Sequence, residues 1–250
     1  LDVDRLAAFD QRHHYGGTAS VEEAIALCGI SSGSRVINIG SGLGGPARFI
    51  ASKSGSDVLA VELQHDLHST AQGLTDRCGL SSSVTHMAGD FMEVEKFLQR
   101  HSYSAVVSWL TVLHFSDRRA LFRSSYNLLQ PGGVFFMADL CRCSNNLSVR
   151  ERKLLREEVY CQSLSSVDEL VTELEAFGFR VSYCDLRSAA WATLTRERVA
   201  KWEAQRDDII AASGEGLYEE LCNFYSMIRD MLDGGRVGGV VIVAKKPLGW

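Results

Sequence analysis

The stretch VINIGSGLGG, residues 36–45, decides the fold that we predict for this chain. Its apolar half completes a predicted strand, Arg35 to Ile39. Its glycines Gly40, Gly42 and Gly45 then follow the spacing GxGxxG before a predicted helix that ends near Lys53. Glycines at these positions let the backbone approach a nucleotide closely, and the start of the helix offers free N–H groups to it. The stretch therefore predicts a nucleotide-type ligand beside the first strand of an α/β sheet.

Strand and helix patterns alternate along the rest of the chain, as in a parallel sheet with helices on both faces. Two helix starts carry a serine with a glutamate three residues later, at Ser20/Glu23 and at Ser166/Glu169. A tight turn is predicted at residues 131–133, just before the fifth strand. The strands predicted after the first are residues 57–62, 83–88, 105–108, 134–140, 179–186 and 238–246. We predict an α/β, Rossmann-like fold with a mostly parallel seven-stranded sheet and an antiparallel last strand.

Two helical stretches interrupt the alternation late in the chain. Residues 144–165 and 187–236 belong to no strand–helix unit, and both leave the sheet after late strands. Open α/β sheets bind ligands at the carboxyl ends of their strands. We therefore expect one domain over residues 1–250, with an N-terminal segment and helix (1–34), a cofactor-binding core (35–140) and these two inserts as a helical lid. The glycine pairs at 234–235 and 238–239 are the predicted hinges of this lid.

Composition excludes several classes of protein. Of 250 residues, 46% are hydrophobic and 23% are charged, which is ordinary for a globular chain. The net charge of −5 leaves no basic surplus for a phosphate backbone, so nucleic acid is not expected as a partner. No apolar run reaches the roughly 20 residues that span a membrane, and the start of the chain shows no signal-peptide pattern. The chain begins with Leu, not Met, which leaves open that a targeting segment has been removed.

The seven cysteines predict free thiols in a reducing compartment. Their number is odd and no CxxC pair occurs, so neither a disulfide framework nor a zinc knuckle is indicated. We expect a cytoplasmic protein without a bound metal. Cys141 and Cys143 are the only close pair.

Two acidic residues end the second and third predicted strands. Glu62 comes about twenty residues after the glycine stretch, where a carboxylate can accept hydrogen bonds from both ribose hydroxyls of a nucleoside. Asp90, in AGDF, can accept from an adenine amino group, while Phe91 offers an apolar ring wall. Together with the glycines, these positions predict an adenosine site. NAD and S-adenosylmethionine both fit it.

Five segments in order resemble class I S-adenosylmethionine-dependent methyltransferases. They are VINIGSGLGGPARFIA (36–51), AVELQHDLH (60–68), AGDF (88–91), SWLTVLHFSD (108–117) and LLQPGG (128–133). The glycine stretch and the LH tract are similar in particular to sarcosine/dimethylglycine and phosphoethanolamine N-methyltransferases, and the resemblance covers residues from about 16 to 186. It implies a class I methyltransferase fold, S-adenosylmethionine as cofactor and S-adenosylhomocysteine as product. The PGG turn, the place of AGDF and the two late strands favour this cofactor over NAD.

The resemblance implies a set of cofactor-binding residues. One position departs from the family pattern: Asn38 stands where the family usually has Asp or Glu, a carboxylate that organises the glycine loop. We expect this change to weaken cofactor binding without abolishing it. The expected cofactor-binding residues are Gly40, Ser41, Gly42, Gly45, Glu62, Leu63, Gln64, Asp90, Phe91, Ser108 and Trp109.

The expected acceptor site lies around the LH tract. His114 matches a histidine that works beside an N-terminal tyrosine in phosphoethanolamine methyltransferases, and Tyr15 matches that tyrosine approximately. We predict both as catalytic, because an imidazole with a pKa near neutrality can take a proton from an amine. Aromatic rings can hold a methylated ammonium group, and arginines can bind a carboxylate. The expected substrate-contacting residues are Trp109, His114, Arg142, Tyr160, Arg187 and Trp191.

The function that we predict is methyl transfer to an amine nitrogen of a small amino-acid-like acceptor of the sarcosine or dimethylglycine type. Leu110 and Thr111 stand where phosphobase enzymes typically carry a substrate-binding aspartate, which disfavours a phosphobase. Apart from the small-molecule acceptor, the expected partner is a second copy of the chain, in a homodimer. Three alternatives stay open: an arsenite or thiol methyltransferase that uses Cys141, Cys143 or Cys161, a catalytically silent methyltransferase-like module, and a nicotinamide dehydrogenase.

Overall fold

The computed structural model describes residues 15–248 and contains a seven-stranded mixed sheet. The strands follow the order β3-β2-β1-β4-β5-β7-β6, and β7 runs antiparallel to both of its neighbours. Their bounds are β1 Arg35–Ile39, β2 Asp57–Glu62, β3 Val84–Ala88, β4 Tyr103–Trp109, β5 Leu129–Arg142, β6 Arg180–Leu186 and β7 Val237–Lys245. The predicted fold class is confirmed. Residues 1–14 of the predicted N-terminal segment lie outside the described residues.

Helices cover both faces of this sheet. They are α1 Gly17–Cys28, α2 Gly45–Ser54, α3 His65–Arg77, α4 Phe91–Val94, α5 Arg118–Leu128, α6 Val149–Glu157, α7 Val167–Ala176, α8 Ser188–Ala204, α9 Arg206–Ser213 and α10 Glu215–Asp233. Single 3₁₀ turns occupy Glu95–Phe97 and Val112–His114. The capping box predicted at Ser166 is confirmed, because Ser166 and Glu169 bond each other's backbone N–H at the start of α7. Within the described residues, no helix is long and apolar enough to cross a membrane.

The capping box predicted at Ser20 is wrong. The helix begins earlier, at Gly17, and Gly16 precedes it in a left-handed conformation with φ of 85°. Ser20 is therefore inside α1, where its backbone N–H bonds Gly16. Its hydroxyl accepts a hydrogen bond from Trp109 Nε1 at 3.0 Å. The helix is therefore capped by Gly16, which makes no side-chain cap, and not by Ser20 as the local pattern indicated.

The predicted turn at residues 131–133 lies in an irregular stretch of β5. Tyr103 pairs with Leu129, but the next pair is Ala105 with Val134, so residues 130–133 bulge out of the ladder. Gly132 takes φ of 79°, a value that favours glycine. Its N–H donates to the Lys246 carbonyl, which ties the bulge to the end of the last strand.

Two apolar layers hold the helices on the sheet. On the first face, Val36, Val107 and Phe136 pack with residues of α1, α2, α6, α8 and α10. On the second face, Val106 and Phe135 pack with residues of α5 and α7. Edge-to-face aromatic pairs such as Phe122–Phe135, with ring centroids 5.6 Å apart, strengthen the second layer.

The two late helical segments leave the sheet at the ends of β5 and β6, the late strands that the sequence indicated. Residues 144–165, with α6, follow the end of β5, and residues 187–236, with α8 to α10, follow the end of β6. The chain then returns at Val237, which pairs with Arg142. The Arg236 Nε donates to both carboxylate oxygens of Glu151 at 3.0 and 2.9 Å, so the first segment is bonded to the return of the second.

The hinge predicted at Gly238 and Gly239 is wrong, because both lie within β7 and pair with β5. Trp191 covers this strand: a Cβ placed on Gly239 would overlap its indole ring. Close packing of an aromatic ring on bare backbone is therefore the reason for glycine at position 239.

We predict that Gly239→Ala destabilises the protein. The added methyl group has no room beside Trp191, and overpacking of a core typically costs about 1–3 kcal/mol. The free energy of unfolding from urea denaturation measures the effect. Gly216→Ala is the matched control, since a Cβ there meets no atom within 4 Å, and alanine in a helix raises stability by up to about 1 kcal/mol. Equal stability of wild type and Gly239→Ala would contradict the packing described here.

Candidate active site at the carboxyl end of the sheet

The glycine stretch forms a tight loop between β1 and α2. Gly40 and Gly42 take positive φ values of 63° and 53°. Gly40 also lacks room for a side chain, because a Cβ there would overlap the side chain of Thr111 from the loop after β4. Two constraints thus require glycine at position 40: backbone conformation and contact with a second loop. The sequence motif is explained by both.

Glu62 holds this loop from the end of β2. The residue is only 6% exposed, and its Oε2 accepts from the Gly42 N–H at 2.7 Å while Oε1 accepts from the Gln64 N–H at 2.9 Å. A buried carboxylate is tolerated where such donors surround it. Each oxygen keeps a further lone pair, so the geometry leaves acceptors for two hydroxyl groups. Leu63, next in the chain, is 69% exposed and offers an apolar surface beside Glu62.

Within the part of the chain that the structure describes, three buried polar atoms near the ends of β1 and β4 have no hydrogen-bond partner: Asn38 Oδ1, Ser41 Oγ and Ser108 Oγ. The Asn38 amide nitrogen makes only long contacts, at 3.4 and 3.5 Å, to the carbonyls of Val107 and Ile39. Buried polar groups in proteins are normally bonded. These atoms therefore fit a polar ligand beside the glycine loop. The loop contact that we expected from an acid at position 38 is made by Glu62 instead.

The AGDF segment follows β3 at the same edge of the sheet. The Gly89 N–H donates to the Glu62 carbonyl at 2.9 Å, which places the two acidic strand ends side by side. Asp90 caps α4, because its Oδ1 accepts from the Met92 N–H at 2.9 Å. Phe91 is buried in the apolar layer of the second face. Adenine binding by Asp90 and Phe91 stays a prediction.

His114 ends the 3₁₀ turn after β4. Its backbone N–H donates to the Thr111 carbonyl at 3.0 Å, and the residue as a whole is exposed. The surrounding protein removes part of its hydration, and this desolvation lowers the pKa of the imidazole. The carbonyls of Tyr160, Leu110 and Val159 and the charge of Glu62 oppose the shift only in part. The imidazole is therefore mainly neutral at neutral pH.

Two strained residues flank His114. Leu110 and Tyr160 have φ of 50° and 54°, the left-handed region that side chains other than glycine rarely adopt. Each such residue costs on the order of 1–3 kcal/mol, and such strain concentrates at functional sites. Tyr160 is also 72% exposed, although it is a large aromatic residue. Nothing in the sequence signals either conformation.

The other predicted aromatic residues are packed inside the protein. Tyr15 and Trp191 lie together with ring centroids 4.6 Å apart, and burial raises the pKa of the Tyr15 hydroxyl above its usual range. The Arg198 guanidinium lies 5.5 Å from the Tyr15 ring centre. Trp109 is buried against Phe136, with ring centroids 5.2 Å apart. All of these except Arg198 are core residues of the first face, and substrate contact by Tyr15, Trp109 and Trp191 stays a prediction.

The two predicted carboxylate-binding arginines already contact carboxylates. Arg142 Nη2 donates to Glu169 at 2.6 Å. Arg187 pairs with Glu23 and, through Nε at 3.0 Å, with Asp185. A substrate carboxylate would have to compete with these partners. Recognition of the acceptor by either arginine stays a prediction.

The cysteines do not form a three-thiol cluster around a metal. Cys141 and Cys143 have their sulfur atoms 4.0 Å apart, and burial raises the pKa of the Cys161 thiol to about 11. All seven cysteines are free. In residues 15–248, no group of three or more His, Cys, Asp or Glu side chains could hold a metal ion.

Comparison with known proteins places this architecture. A family model described as mycolic acid cyclopropane synthetase matches residues 14–234, which is most of the chain. The chain belongs to this family. Its predicted resemblance to class I methyltransferases is confirmed.

Relatives of the family differ in what they act on. Phosphoethanolamine N-methyltransferase 1 of Zea mays is 24% identical over 208 residues, which cover 83% of this chain and 40% of the relative. Phosphoethanolamine N-methyltransferase 2 of Haemonchus contortus, solved with phosphomonomethylethanolamine and S-adenosylhomocysteine, superposes with a TM-score of 0.86 at 20% identity, over 93% of this chain and 53% of that one. A protein of Galdieria sulphuraria assigned as a sarcosine dimethylglycine methyltransferase gives 0.79 at 16%, over 92% and 84%. The chain spans about 40% of the length of the curated relatives that it matches first.

We predict that Glu62→Ala weakens binding of S-adenosylmethionine at least about tenfold. The substitution removes acceptors for two charge-assisted hydrogen bonds, each worth roughly 1.5–3 kcal/mol, and frees the Gly42 N–H. Isothermal titration calorimetry measures the dissociation constant. Glu22→Gln, at an exposed residue that pairs with Lys53, is the control and should bind as wild type does. An unchanged dissociation constant in folded Glu62→Ala protein would remove Glu62 from the cofactor site.

Proposed function

We propose that the chain is an S-adenosylmethionine-dependent methyltransferase that acts on an amine nitrogen of a small, amino-acid-like acceptor. One observation carries this proposal: the Glu62-held glycine loop and a mainly neutral His114 lie at the same end of the sheet, linked by the contact of Thr111 with Gly40. Family membership supports the reaction type. The class of acceptor is proposed beyond what family membership supports.

The residues present fit the cofactor. Glu62 offers acceptors to the ribose hydroxyls, the glycine loop admits close approach, and the unpartnered atoms of Asn38, Ser41 and Ser108 offer polar contacts. Gly45, Leu63, Gln64, Asp90, Phe91 and Trp109 complete the proposed cofactor-binding set. When bound, S-adenosylmethionine supplies an electrophilic methyl group on a sulfonium. The residues of the chain align the acceptor with it and exclude water.

His114 is the proposed proton acceptor. An amine arrives mostly protonated at neutral pH and must lose that proton before its lone pair can attack. A neutral imidazole at the mouth of the site can take the proton, directly or through water. Tyr15 is proposed to orient the acceptor, because burial keeps its hydroxyl protonated.

Two observations support the proposed acceptor class: the acceptors for which relatives are named, and the residues that stand in place of a substrate-binding aspartate. The similar proteins of Zea mays and Galdieria sulphuraria are named for amine acceptors. Leu110 and Thr111 leave this chain without the aspartate expected for a phosphobase. Assay of methyl transfer to glycine, sarcosine, dimethylglycine, ethanolamines, histidine derivatives, thiols and arsenite tests the acceptor. Transfer to thiols or arsenite alone would overturn the amine.

Two alternatives keep a specific observation in their favour. The 4.0 Å separation of the Cys141 and Cys143 sulfurs favours a soft acceptor such as arsenite. Loss of transfer in folded Cys141→Ser or Cys143→Ser protein would support it. The neutral Asn38 in place of an acid favours a silent binding module. Absence of both heat and thermal shift with S-adenosylmethionine would support that one.

We predict that His114→Ala lowers turnover about 10²–10⁴-fold at pH 7 while cofactor affinity stays within a few-fold. The defect shrinks as the pH rises, because more free amine is then present. In the wild type, turnover falls as the pH drops through the lowered pKa of His114, where the imidazole becomes protonated. Methyl release at saturating cofactor, measured from pH 5 to 9, reports both effects.

Two variants control this measurement. His65→Gln changes an exposed histidine of α3 and should leave turnover unchanged. Tyr15→Phe should lower turnover less than His114→Ala, since its role is orientation. Near-normal turnover of His114→Ala at pH 7 would reduce catalysis to alignment alone.

We predict that residues 144–165 and 187–236 act as a lid. Their amide hydrogens should exchange fast without ligand and become protected when S-adenosylhomocysteine and the acceptor are bound together. Hydrogen–deuterium exchange read by mass spectrometry measures this, with the central strands β1 and β4 as the internal control. Equal protection in both states would make these segments a rigid cap, held by pairs such as Glu151–Arg236.

Location, domain organisation and assembly complete the proposal. We place the protein in the cytoplasm, in line with its free thiols, and treat residues 1–250 as one domain. We propose a homodimer as its assembly.

A further inference from the structure

Asp139 is a buried carboxylate that the proposed reaction does not use. It lies in β5 and is 1% exposed. The sequence shows it only as a single acid within the apolar run FFMADL. A charged group in such a place is costly unless donors surround it, so its hydrogen bonds are informative.

Those bonds go mainly to the loop that carries His114. Asp139 Oδ2 accepts from the N–H groups of Thr111 and Leu113, both at 3.2 Å, and Oδ1 accepts from the Leu140 N–H at 2.8 Å. Thr111 in turn accepts from the His114 N–H. A continuous path of hydrogen bonds therefore runs from the Asp139 carboxylate to the backbone of His114.

The loop needs such a support. Leu110 enters it in the unfavourable left-handed conformation, which persists only where the surroundings enforce it. Thr111 also packs on Gly40, so the position of this loop matters to the glycine loop as well. The carboxylate of Asp139 lies directly beneath and holds two of its amides.

We propose that Asp139 is the positioning residue of the loop 110–114 and, through it, sets where the His114 imidazole stands. The proposal rests on the proposed function, in which His114 accepts the proton. In this proposal, Asp139 contacts neither the substrate nor the cofactor. Its contribution is to keep the loop in one conformation.

Three titratable or charged groups lie near Asp139. Cys141 lies on the same strand, and Cys161 follows α6. Arg118 of α5 lines the small cavity beside Asp139 and pairs with Glu173 of α7 at 3.4 Å. Burial raises the pKa of Asp139 to about 7, with the loop amides opposing the rise. The charged form accepts the stronger hydrogen bonds, so the support weakens as the pH falls through that value.

The test uses the direction in which the pKa of His114 moves in Asp139→Asn protein. Loss of a negative charge alone would lower the pKa of a histidine. Release of the loop into solvent would raise it toward the ordinary value of about 6.5, because desolvation is the main cause of its depression. The two effects have opposite signs. We expect the pKa of His114 to rise.

Nuclear magnetic resonance of imidazole-labelled protein reads this pKa without any acceptor. The His114 signal is the one of seven histidine signals that disappears in His114→Gln. Asp117→Asn is the matched control: it removes a charge three residues from His114, while asparagine still caps α5 in its place. An unchanged or lowered pKa in Asp139→Asn, or an equal rise in Asp117→Asn, would overturn the proposal.

A measurement on the wild type covers the case in which Asp139→Asn does not fold. The amide protons of Thr111 and Leu113 should titrate together with the Asp139 carboxyl carbon, because they donate to it. Amides that do not follow the carboxyl would overturn the proposal. The two proposals fail separately: normal turnover of His114→Gln removes the proton-accepting role, whereas the resonance tests bear only on Asp139.

Discussion

The hydrogen bond from the Gly42 N–H to the Glu62 carboxylate is the contact on which the rest of the site depends. At 2.7 Å, it joins the loop after β1 to the end of β2, and the second carboxylate oxygen holds the turn into α3 through Gln64. The Glu62 carbonyl accepts from Gly89 at the end of β3. One residue thus ties together the ends of three strands. Its charge is tolerated in a buried place because backbone N–H groups surround it.

A second set of contacts carries this order to the other half of the sheet. Thr111 rests on Gly40, and its N–H donates to Asp139 on β5. The loops after β1 and β4 are therefore fixed relative to each other by direct contact and by a shared buried acid. Reactions that depend on alignment need this property, since small displacements of reacting groups cost much of the rate.

The sequence predicted what local pattern determines. The glycine stretch, the acid at the end of β2 and the alternation of strands and helices follow from residue spacing, and the structure has each of them. Features that depend on distant partners were missed or wrong. The sequence indicated Ser20 as a helix cap, but in the structure its hydroxyl accepts a hydrogen bond from Trp109 of β4. Arg142 was predicted to bind a substrate carboxylate, but it already pairs with Glu169. The sequence did not indicate a role for Asp139, because its hydrogen bonds go to the N–H groups of a loop about 28 residues earlier in the chain. Leu110 and Tyr160 are ordinary residues in sequence and unusual only in backbone conformation.

The place of β7 has a consequence for the order in which the chain can assemble. The strands β1 to β5 come from one continuous stretch of chain, whereas β7 lies between β5 and β6 and is made about a hundred residues after β5. During synthesis on the ribosome, the outer edge of β5 stays open until residues 237–245 emerge. That edge carries Val134, Phe136 and Ala138, and unpaired apolar edges invite association with other chains. The late helices α8 and α10 are made before β7 but pack against it, so they reach their final place only when this last strand has joined the sheet.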